Sequence, residues 1–243
     1  MPSVDTLRVL QTTIVGCRLC PRLVAWREQV ARVKVRRYRD EEYWGRPIPS
    51  WGPATARLLI VGLAPAAHGG NRTGRIFTGD RSGDFLFQAL HRAGFANQPW
   101  SRDRRDGLRL YECYITAAVR CAPPANKPLP EELSTCRRYL VQELRLLPRV
   151  RVVIALGRIA FDAFLRAWVE AGRPAPTTRP RFGHGVAAEL PGGTLLLGSY
   201  HPSQQNTQTG RLTVAMFQRV FSRARLVIGG RSRQDRPERS AKP

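Results

Sequence analysis

The chain alternates short apolar runs with longer segments in which apolar residues recur every three or four positions. The short runs predict buried strands and the periodic segments predict amphipathic helices. Strands are predicted at 57–62, 110–119, 150–157 and 194–200. Helices are predicted at 4–15, about 20–35, from near Ser82, at 129–147, 158–171 and 210–227.

This order of elements predicts the fold class. Strands separated by helices favour parallel pairing, because each crossover helix returns the chain to the same edge of the sheet. We therefore expect an α/β fold, a three-layer α/β/α sandwich around a central, mostly parallel sheet. The predicted organisation is a single domain over residues 1–228, followed by a basic, disordered tail over 229–243.

Charge adds a class of partner to this fold. The 243 residues include 40 Lys and Arg against 18 Asp and Glu, a formal net charge of +22, which favours a polyanion such as nucleic acid. A GC-rich genome explains the preference for Arg over Lys, but not the net charge. No apolar run approaches the roughly 18 residues that span a membrane, and no secretion signal is recognisable. These features predict a soluble, cytoplasmic protein without a membrane partner.

The stretch "GLAPAAHGGNRTGRIFTGD", residues 62–80, follows the first strand, where parallel sheets carry active-site loops. Its first half offers no acid, base or nucleophile, and its one carboxylate is Asp80 at the far end. The glycines permit backbone N–H groups to approach a phosphate or a base edge. The alternative is a flexible loop with no ligand, since the spacing matches neither a dinucleotide fingerprint nor a P-loop.

Four of the five cysteines form a candidate metal site. Structural disulfides are rare in the cytosol, so metal binding outranks them. Cys17, Cys20, Cys121 and Cys136 suit a [4Fe–4S] cluster or a zinc ion, which spacing does not separate. The alternative is a set of buried free thiols. Cys113 lies in a strand pattern and is predicted to be core.

Three stretches together resemble the family 5 uracil-DNA glycosylases, the B type of the bacterial and archaeal iron–sulfur enzymes. They are the loop at 62–80, "VRCAPPANK" at 119–127 with Cys136 downstream, and "HPSQQNTQTGRLT" at 201–213. The resemblance runs from about Cys17 to residue 222. It implies a single α/β/α domain that removes uracil or other deaminated bases from DNA. We expect a monomer, because a monomer fits an enzyme that must enclose DNA, and one that is nucleoid-associated when on DNA. It also implies a structural [4Fe–4S] cluster held by Cys17, Cys20, Cys121 and Cys136.

The resemblance makes Asp80 the catalytic carboxylate. Other branches of the superfamily carry an acid or polar residue at the positions of Leu63 or Ala64, and both are apolar here. Asp80 would orient or deprotonate the water that attacks C1′ and stabilise positive charge on the sugar. The alternative is an N-cap of the helix from Ser82, and both roles can hold.

His201 follows the last strand and would donate a hydrogen bond to the departing base; a structural histidine is the alternative. Phe77 would stack on a base, worth ~1–3 kcal/mol, or would pack in the core. Further candidates for substrate binding are Gly62, Leu63, Ala64, His68 and Asn206. Candidates for DNA binding are Asn71, Arg72, Ser203, Gln204, Gln205 and Arg211, although Ser203 to Asn206 could be an ordinary helix-entry turn.

The predicted reaction is monofunctional hydrolysis that leaves an abasic site, because neither catalytic motif contains a lysine for a Schiff base. Some relatives carry an Asn in the strand before the third cysteine, where this chain reads Thr116-Ala117-Ala118-Val119. Its absence and the apolar first loop suggest tolerance of other bases such as hypoxanthine. The alternatives are a non-catalytic nucleic-acid-binding protein with a structural metal, and a zinc hydrolase, although a four-cysteine site leaves no open position for water.

Overall fold

The computed structural model describes residues 4–229, with side chains from residue 6 onward. The tail predicted to be disordered therefore lies outside the described residues, except for Gly229. The described chain folds around one five-stranded sheet flanked by helices, which confirms the predicted α/β sandwich.

The sheet is mostly parallel, in the strand order β2-β1-β3-β5-β4. The strands are β1 Leu58–Gly62, β2 Cys113–Ala117, β3 Val152–Leu156, β4 Ala187–Leu190 and β5 Thr194–Ser199. The first four in spatial order run parallel, and β4 pairs antiparallel with β5 at the edge. The sequence pattern did not predict β4, because its Ala-Ala-Glu-Leu run has low strand propensity and stays half exposed.

Eight α-helices connect and cover the strands in the described part of the chain. They are α1 Val4–Val15, α2 Pro21–Val33, α3 Gly70–Thr73, α4 Arg81–Arg92, α5 Pro130–Leu146, α6 Arg158–Glu170, α7 Gln204–Gln208 and α8 Val214–Ile228. The short helices α3 and α7 were not predicted. Helix α8 begins later than the predicted residue 210, because the hydroxyl of Thr213 caps it by accepting from Met216 N at 3.2 Å.

The predicted strand 110–119 is shorter in the structure for a conformational reason. Glu112 has a positive φ of +52°, which breaks the extended backbone just before Cys113. The strand then runs only to Ala117, and all five of its residues are buried. Cys113 lies in the core, as predicted, and is fully buried.

Successive residues of each central strand face opposite layers, so both faces of the sheet are apolar. Ile60 of β1 faces the layer formed by α4 and α8, where Phe87 and Phe221 are fully buried. Leu59 faces the layer that contains Leu140 of α5 and Phe161 of α6, together with α1. This arrangement fixes the carboxyl ends of β1 and β5, where the loops of the candidate site begin.

A third cluster of apolar residues joins α1 and α2 to the sheet. Ile14 of α1 and Leu23 of α2 pack there with Tyr139 and two of the candidate cysteines. The segment of α1 and α2 is thus attached beside the carboxyl edge of the sheet. No helix in residues 4–229 is long and apolar enough to cross a membrane.

Candidate active site

A cleft of about 530 Å³ opens at the carboxyl edge of the sheet, where the loops after β1 and β5 meet. Parallel sheets place their ligand sites at this edge, because the loops that follow neighbouring strands converge there. The structure brings most of the predicted site residues together around this cleft. Those that line it are Leu63, Ala64, Phe77, Asp80, His201, Ser203, Gln204 and Gln205.

Asp80 both caps helix α4 and faces the cleft, so the two roles weighed from the sequence coexist. Its Oδ1 accepts a hydrogen bond from Gly83 N at 2.8 Å. Burial raises the pKa of Asp80, and the backbone N–H groups of Gly83 and Ser82 oppose that shift. The carboxylate lies against Gly69, where a Cβ atom would come within 2.3 Å of Asp80 Oδ2. The glycine of the first loop therefore makes room for the carboxylate.

Two glycines make room for Phe77, one beside its ring and one beside its backbone carbonyl. A Cβ on Gly62 would lie 2.7 Å from Phe77 Cζ, and one on Gly83 would lie 2.0 Å from the Phe77 carbonyl oxygen. Phe77 has a positive φ of +54° and is 6% exposed. Its ring is part of the core and also lines the cleft, 6.0 Å from the ring of His201 between centroids. Gly62 thus acts on the cleft through Phe77.

His201 is held as a neutral imidazole at the end of β5. Burial lowers its pKa to about 4, so the ring carries no charge near neutral pH. Asn206 does not line the cleft; its Nδ2 donates to the His201 carbonyl oxygen at 2.9 Å. Ser203 caps the short helix α7 by accepting from Asn206 N at 3.3 Å. Asn206 therefore fixes the backbone that carries His201.

Three polar residues of the first loop lie away from the cleft. His68 Nδ1 is bonded to the hydroxyl of Tyr43 at 3.1 Å, and burial lowers its pKa. Asn71 is 1% exposed and donates to the Arg27 carbonyl oxygen at 3.1 Å. The Arg72 guanidinium is 10% exposed and bonds to backbone carbonyls of its own loop. Asn71 and Arg72 were predicted to contact DNA. The structure places neither side chain on the surface, and both stabilise the loop instead.

The loop after β5 presents the remaining predicted residues outward. Gln204 and Gln205 are exposed at the margin of the cleft. Arg211 is exposed, and its guanidinium lies 4.7 Å from the ring centroid of Tyr200. These side chains are accessible from solvent.

Asn126 and Ala125 line the cleft from its other side and were not among the predicted site residues. Both have positive φ, +52° at Ala125 and +57° at Asn126, in the segment between Cys121 and Cys136. An alanine in this conformation is uncommon, so the backbone there is set by its surroundings. Ala117, by contrast, is fully buried and pairs with Gly62 in the sheet.

The four candidate cysteines line one cavity between α2, α5 and the segment after β2. Burial raises the pKa of Cys121 to about 11 and that of Cys136 to about 12. Arg27 Nη1 donates to Cys121 Sγ at 2.9 Å, and Arg120 N donates to Cys136 Sγ at 3.3 Å. In residues 4–229, however, no group of three or more His, Cys, Asp or Glu side chains is arranged to hold a metal ion.

The donor set of this cavity nevertheless fits an iron–sulfur cluster better than it fits a hydrophobic core. Four thiols line the cavity, and N–H groups donate to two of the sulfurs, as is common around clusters. The cavity also contains the buried guanidinium of Arg27, whose positive charge would offset thiolates. Cluster binding would require the cysteine side chains to adjust and lose their protons.

Comparison with known proteins places this fold and cleft in one class. A family model described as the uracil DNA glycosylase superfamily matches residues 49–225, which include the sheet and the cleft. The chain belongs to the uracil DNA glycosylase superfamily.

Within that superfamily the chain is similar to the type-5 branch. It is 56% identical over 221 residues to a type-5 uracil-DNA glycosylase of Mycobacterium tuberculosis, covering 90% of this chain and 81% of the relative. It is also 56% identical over 217 residues to the type-5 enzyme of Thermus thermophilus, covering 89% and 96%. A type-4 uracil-DNA glycosylase of Thermotoga maritima is 29% identical over 153 residues, covering 63% and 67%.

Proposed function

We propose that the protein is a DNA glycosylase that hydrolyses the N-glycosidic bond of uracil in DNA and leaves an abasic site. The observation that carries this proposal is the placement of Asp80, His201 and Phe77 around one cleft at the carboxyl edge of the sheet. The type-5 relatives are named for the same activity. A glycosidic bond is inaccessible inside a duplex, so the target nucleotide must leave the stack and enter this cleft.

Asp80 acts on the sugar side of the bond that breaks. As the C1′–N1 bond lengthens, positive charge develops on the sugar, and the Asp80 carboxylate stabilises it. The same carboxylate orients the water whose oxygen forms the new bond to C1′, and accepts its proton. The raised pKa of Asp80 makes it a stronger base than an ordinary aspartate, while the Gly83 N–H holds its second oxygen in place.

His201 acts on the departing base. The electron pair of the broken bond moves into the uracil ring, and negative charge develops on the carbonyl oxygen beside N1. A neutral imidazole N–H donates a hydrogen bond to that oxygen without itself losing a proton. The lowered pKa of His201 keeps the ring neutral over the physiological range.

The base is held by stacking and by Asn126. Phe77 presents a fixed ring to the base, and every base has a face that can stack on it. Asn126 lines the cleft from the segment between Cys121 and Cys136, and we assign its amide to a polar edge of the base. Because Leu63 and Ala64 bring no hydrogen-bonding side chain to the cleft from the start of the first loop, we extend the proposed substrates to hypoxanthine. No lysine lines the cleft within residues 4–229, which supports monofunctional hydrolysis.

The test is release of uracil from a labelled duplex with a U·G pair, followed by alkaline cleavage at the abasic site. Asp80→Asn should lose at least about a hundredfold in single-turnover rate, since one catalytic group is worth roughly 10²–10⁴. Asp162→Asn is the matched control, because Asp162 lies on α6 and does not line the cleft. Equal losses of single-turnover rate in the two variants would show that Asp80 has no specific part in the reaction. Intact DNA with the wild type would overturn the proposal and favour a binding protein.

We also propose that Cys17, Cys20, Cys121 and Cys136 hold a structural [4Fe–4S] cluster. The support is their shared cavity and the N–H groups aimed at two sulfurs. When bound, the cluster would join α2 to the segment that carries Asn126. Protein purified without oxygen should be brown and contain about four irons per chain. Cys113→Ser is the matched control for Cys121→Ser, and a colourless protein that contains zinc would contradict the cluster.

A further inference from the structure

A hairpin between α4 and β2 projects toward the cleft end of the molecule. Its two arms pair at an antiparallel bridge between Ala96 and Leu110, and Asn97 N donates to the Arg109 carbonyl oxygen at 3.1 Å. The arms lead to residues 98–106, here called the tip loop. All three arginines of the tip loop are exposed, at positions 102, 104 and 105.

The tip loop is attached directly to the loop that carries the catalytic carboxylate. Gly79 N donates to the Ser101 carbonyl oxygen at 3.2 Å, and Gly79 immediately precedes Asp80. The hydroxyls of Ser101 and Thr78 are 2.6 Å apart, and both are buried. Trp100, next to Ser101, is therefore joined through this hydrogen bond to the loop that carries Asp80.

The tip loop is also fixed by hydrogen bonds to one buried carboxylate. The Asp106 carboxylate accepts from Arg102 N at 2.7 Å, from Leu108 N at 3.1 Å and from the buried Arg75 guanidinium at 2.6 Å. Rigid presentation reduces the entropy lost when a loop binds a partner. The loop thus has the properties of a preformed contact surface.

Trp100 is exposed on this loop at 45% of its surface. The guanidinium of Arg102 lies 5.8 Å from its ring centroid, within cation–π range. Arg102 also acts on the first turn of α4: burial raises the pKa of Asp84, and Arg102 and Arg81 oppose the shift. Arg81 itself lines the cleft. An exposed indole with an adjoining arginine is the pairing that nucleic acids bind through stacking and phosphate contact.

We propose that the tip loop is a second DNA contact beside the cleft, in which Trp100 packs against a nucleotide that flanks the extruded base and Arg102 binds the adjacent phosphate. This inference rests on the proposed function for the position of the DNA. Stacking by an exposed indole does not depend on base identity. The contact therefore strengthens binding without selecting a sequence, and it stabilises the distorted duplex while the target base is in the cleft.

The experiment uses fluorescence anisotropy to measure binding to a duplex that carries 2′-fluoro-2′-deoxyuridine. The fluorine destabilises positive charge on the sugar, so the glycosidic bond of this nucleotide resists cleavage. Trp100→Ala should weaken binding about tenfold, within the range for loss of one stacked base. Trp100→Phe should restore most of the affinity. Arg102→Ala should reduce the slope of log K against log salt concentration by about one. A 2-aminopurine placed beside the uracil should be quenched by the wild type and not by Trp100→Ala.

Two control variants match these changes elsewhere on the chain. Tyr111→Ala removes an aromatic ring of similar exposure, 47%, from the other end of the same hairpin. Arg149→Ala removes an exposed arginine just before β3, at the opposite edge of the sheet from the cleft. The proposal is overturned when Trp100→Ala binds as tightly as Tyr111→Ala, or when Arg102→Ala and Arg149→Ala change the salt slope equally.

The outcome is separable from that of the proposed function. Uracil release by the wild type tests the reaction, whereas the fluorinated duplex tests only the contact. If the wild type releases uracil and Trp100→Ala binds DNA as the wild type does, the proposed reaction stands and the proposed DNA contact of the tip loop is wrong. If Trp100→Ala binds DNA more weakly and the wild type releases no uracil, the proposed reaction is wrong and the proposed DNA contact stands.

Discussion

The Asp80 carboxylate lies directly against the backbone of Gly69, so that a Cβ on Gly69 would come within 2.3 Å of Asp80 Oδ2. Both residues belong to the loop that follows β1, and this contact brings its middle against its end. The glycine that looks like a source of flexibility in the sequence is instead a contact surface for a buried carboxylate. The apolar start of the loop and the acid at its end are thus parts of the same site.

Gly69→Ala should displace this carboxylate and lower kcat. A misplacement of about 1 Å can cost roughly a hundredfold in rate, so we expect a loss of that order with little change in KM. Rates on a uracil duplex and thermal melting would be measured together. Gly192→Ala is the control, because φ there is +88° and a Cβ would meet no atom within 4 Å. Comparable rate losses in both variants would show that the effect is general strain.

The ring of Phe77 offers a test of stacking that uses two substitutions. Phe77→Leu removes the ring, and Gly62→Ala pushes it, because the new Cβ would lie 2.7 Å from Cζ. Each should weaken binding of the uracil duplex about tenfold if stacking is the main contribution. In the double variant the new Cβ at position 62 no longer meets a phenyl ring. The loss of binding free energy should therefore be smaller than the sum of the losses in the two single variants. Additive losses would indicate that Gly62 acts on the cleft by another route.

The sequence predicted the central strands, the fold class and most residues of the cleft, because these depend on local periodicity and on which loop follows which strand. It did not separate Asn71 and Arg72, which are buried in the loop, from polar residues that face solvent. It also missed Asn126, whose position depends on a positive φ and on tertiary contacts of its segment. Such placements follow from packing between distant elements, which a local pattern does not contain.

His201 should titrate far below an ordinary histidine. Burial lowers its pKa to about 4, against roughly 6.5 in an unfolded chain. Its ring resonances in NMR spectra should therefore shift near pH 4, and kcat should show no inflection near pH 6.5 from this residue. A midpoint near 6.5 would falsify the neutral, buried imidazole.

The same shift has a consequence for stability. Between pH 6.5 and 4 the unfolded chain binds a proton at this position and the native protein does not, so the free energy of unfolding falls as the pH is lowered through that window. Comparison with His201→Gln isolates this contribution, because the variant lacks the titrating group. The difference in unfolding free energy between the two proteins should be constant above pH 7.

The buried ion pair between Arg120 and Glu143 should be the most sensitive point of the segment that carries the cysteines. Arg120 is 2% exposed and Glu143 fully buried, with Arg120 Nη2 donating to Glu143 Oε2 at 2.6 Å. Thr116 donates to the same oxygen at 2.6 Å, and Arg120 N donates to Cys136 Sγ. The pair therefore joins α5 and β2 beside the cysteine cavity.

Arg120→Met should leave the Glu143 charge buried without its partner and lower the free energy of unfolding by about 3–5 kcal/mol. The double variant Arg120→Met/Glu143→Leu removes both charges and should recover most of that loss, since two apolar side chains need no partner. Urea unfolding of the wild type, both single variants and the double variant gives the coupling energy. The exposed pair of Arg18 and Glu28 is the control, because its side chains are 64% and 44% exposed, and Arg18→Met should cost at most about 1 kcal/mol. A double variant as unstable as Arg120→Met would show that the site needs the hydrogen bonds of Glu143 with Thr116 and of Arg120 with Ser50, not its charge balance.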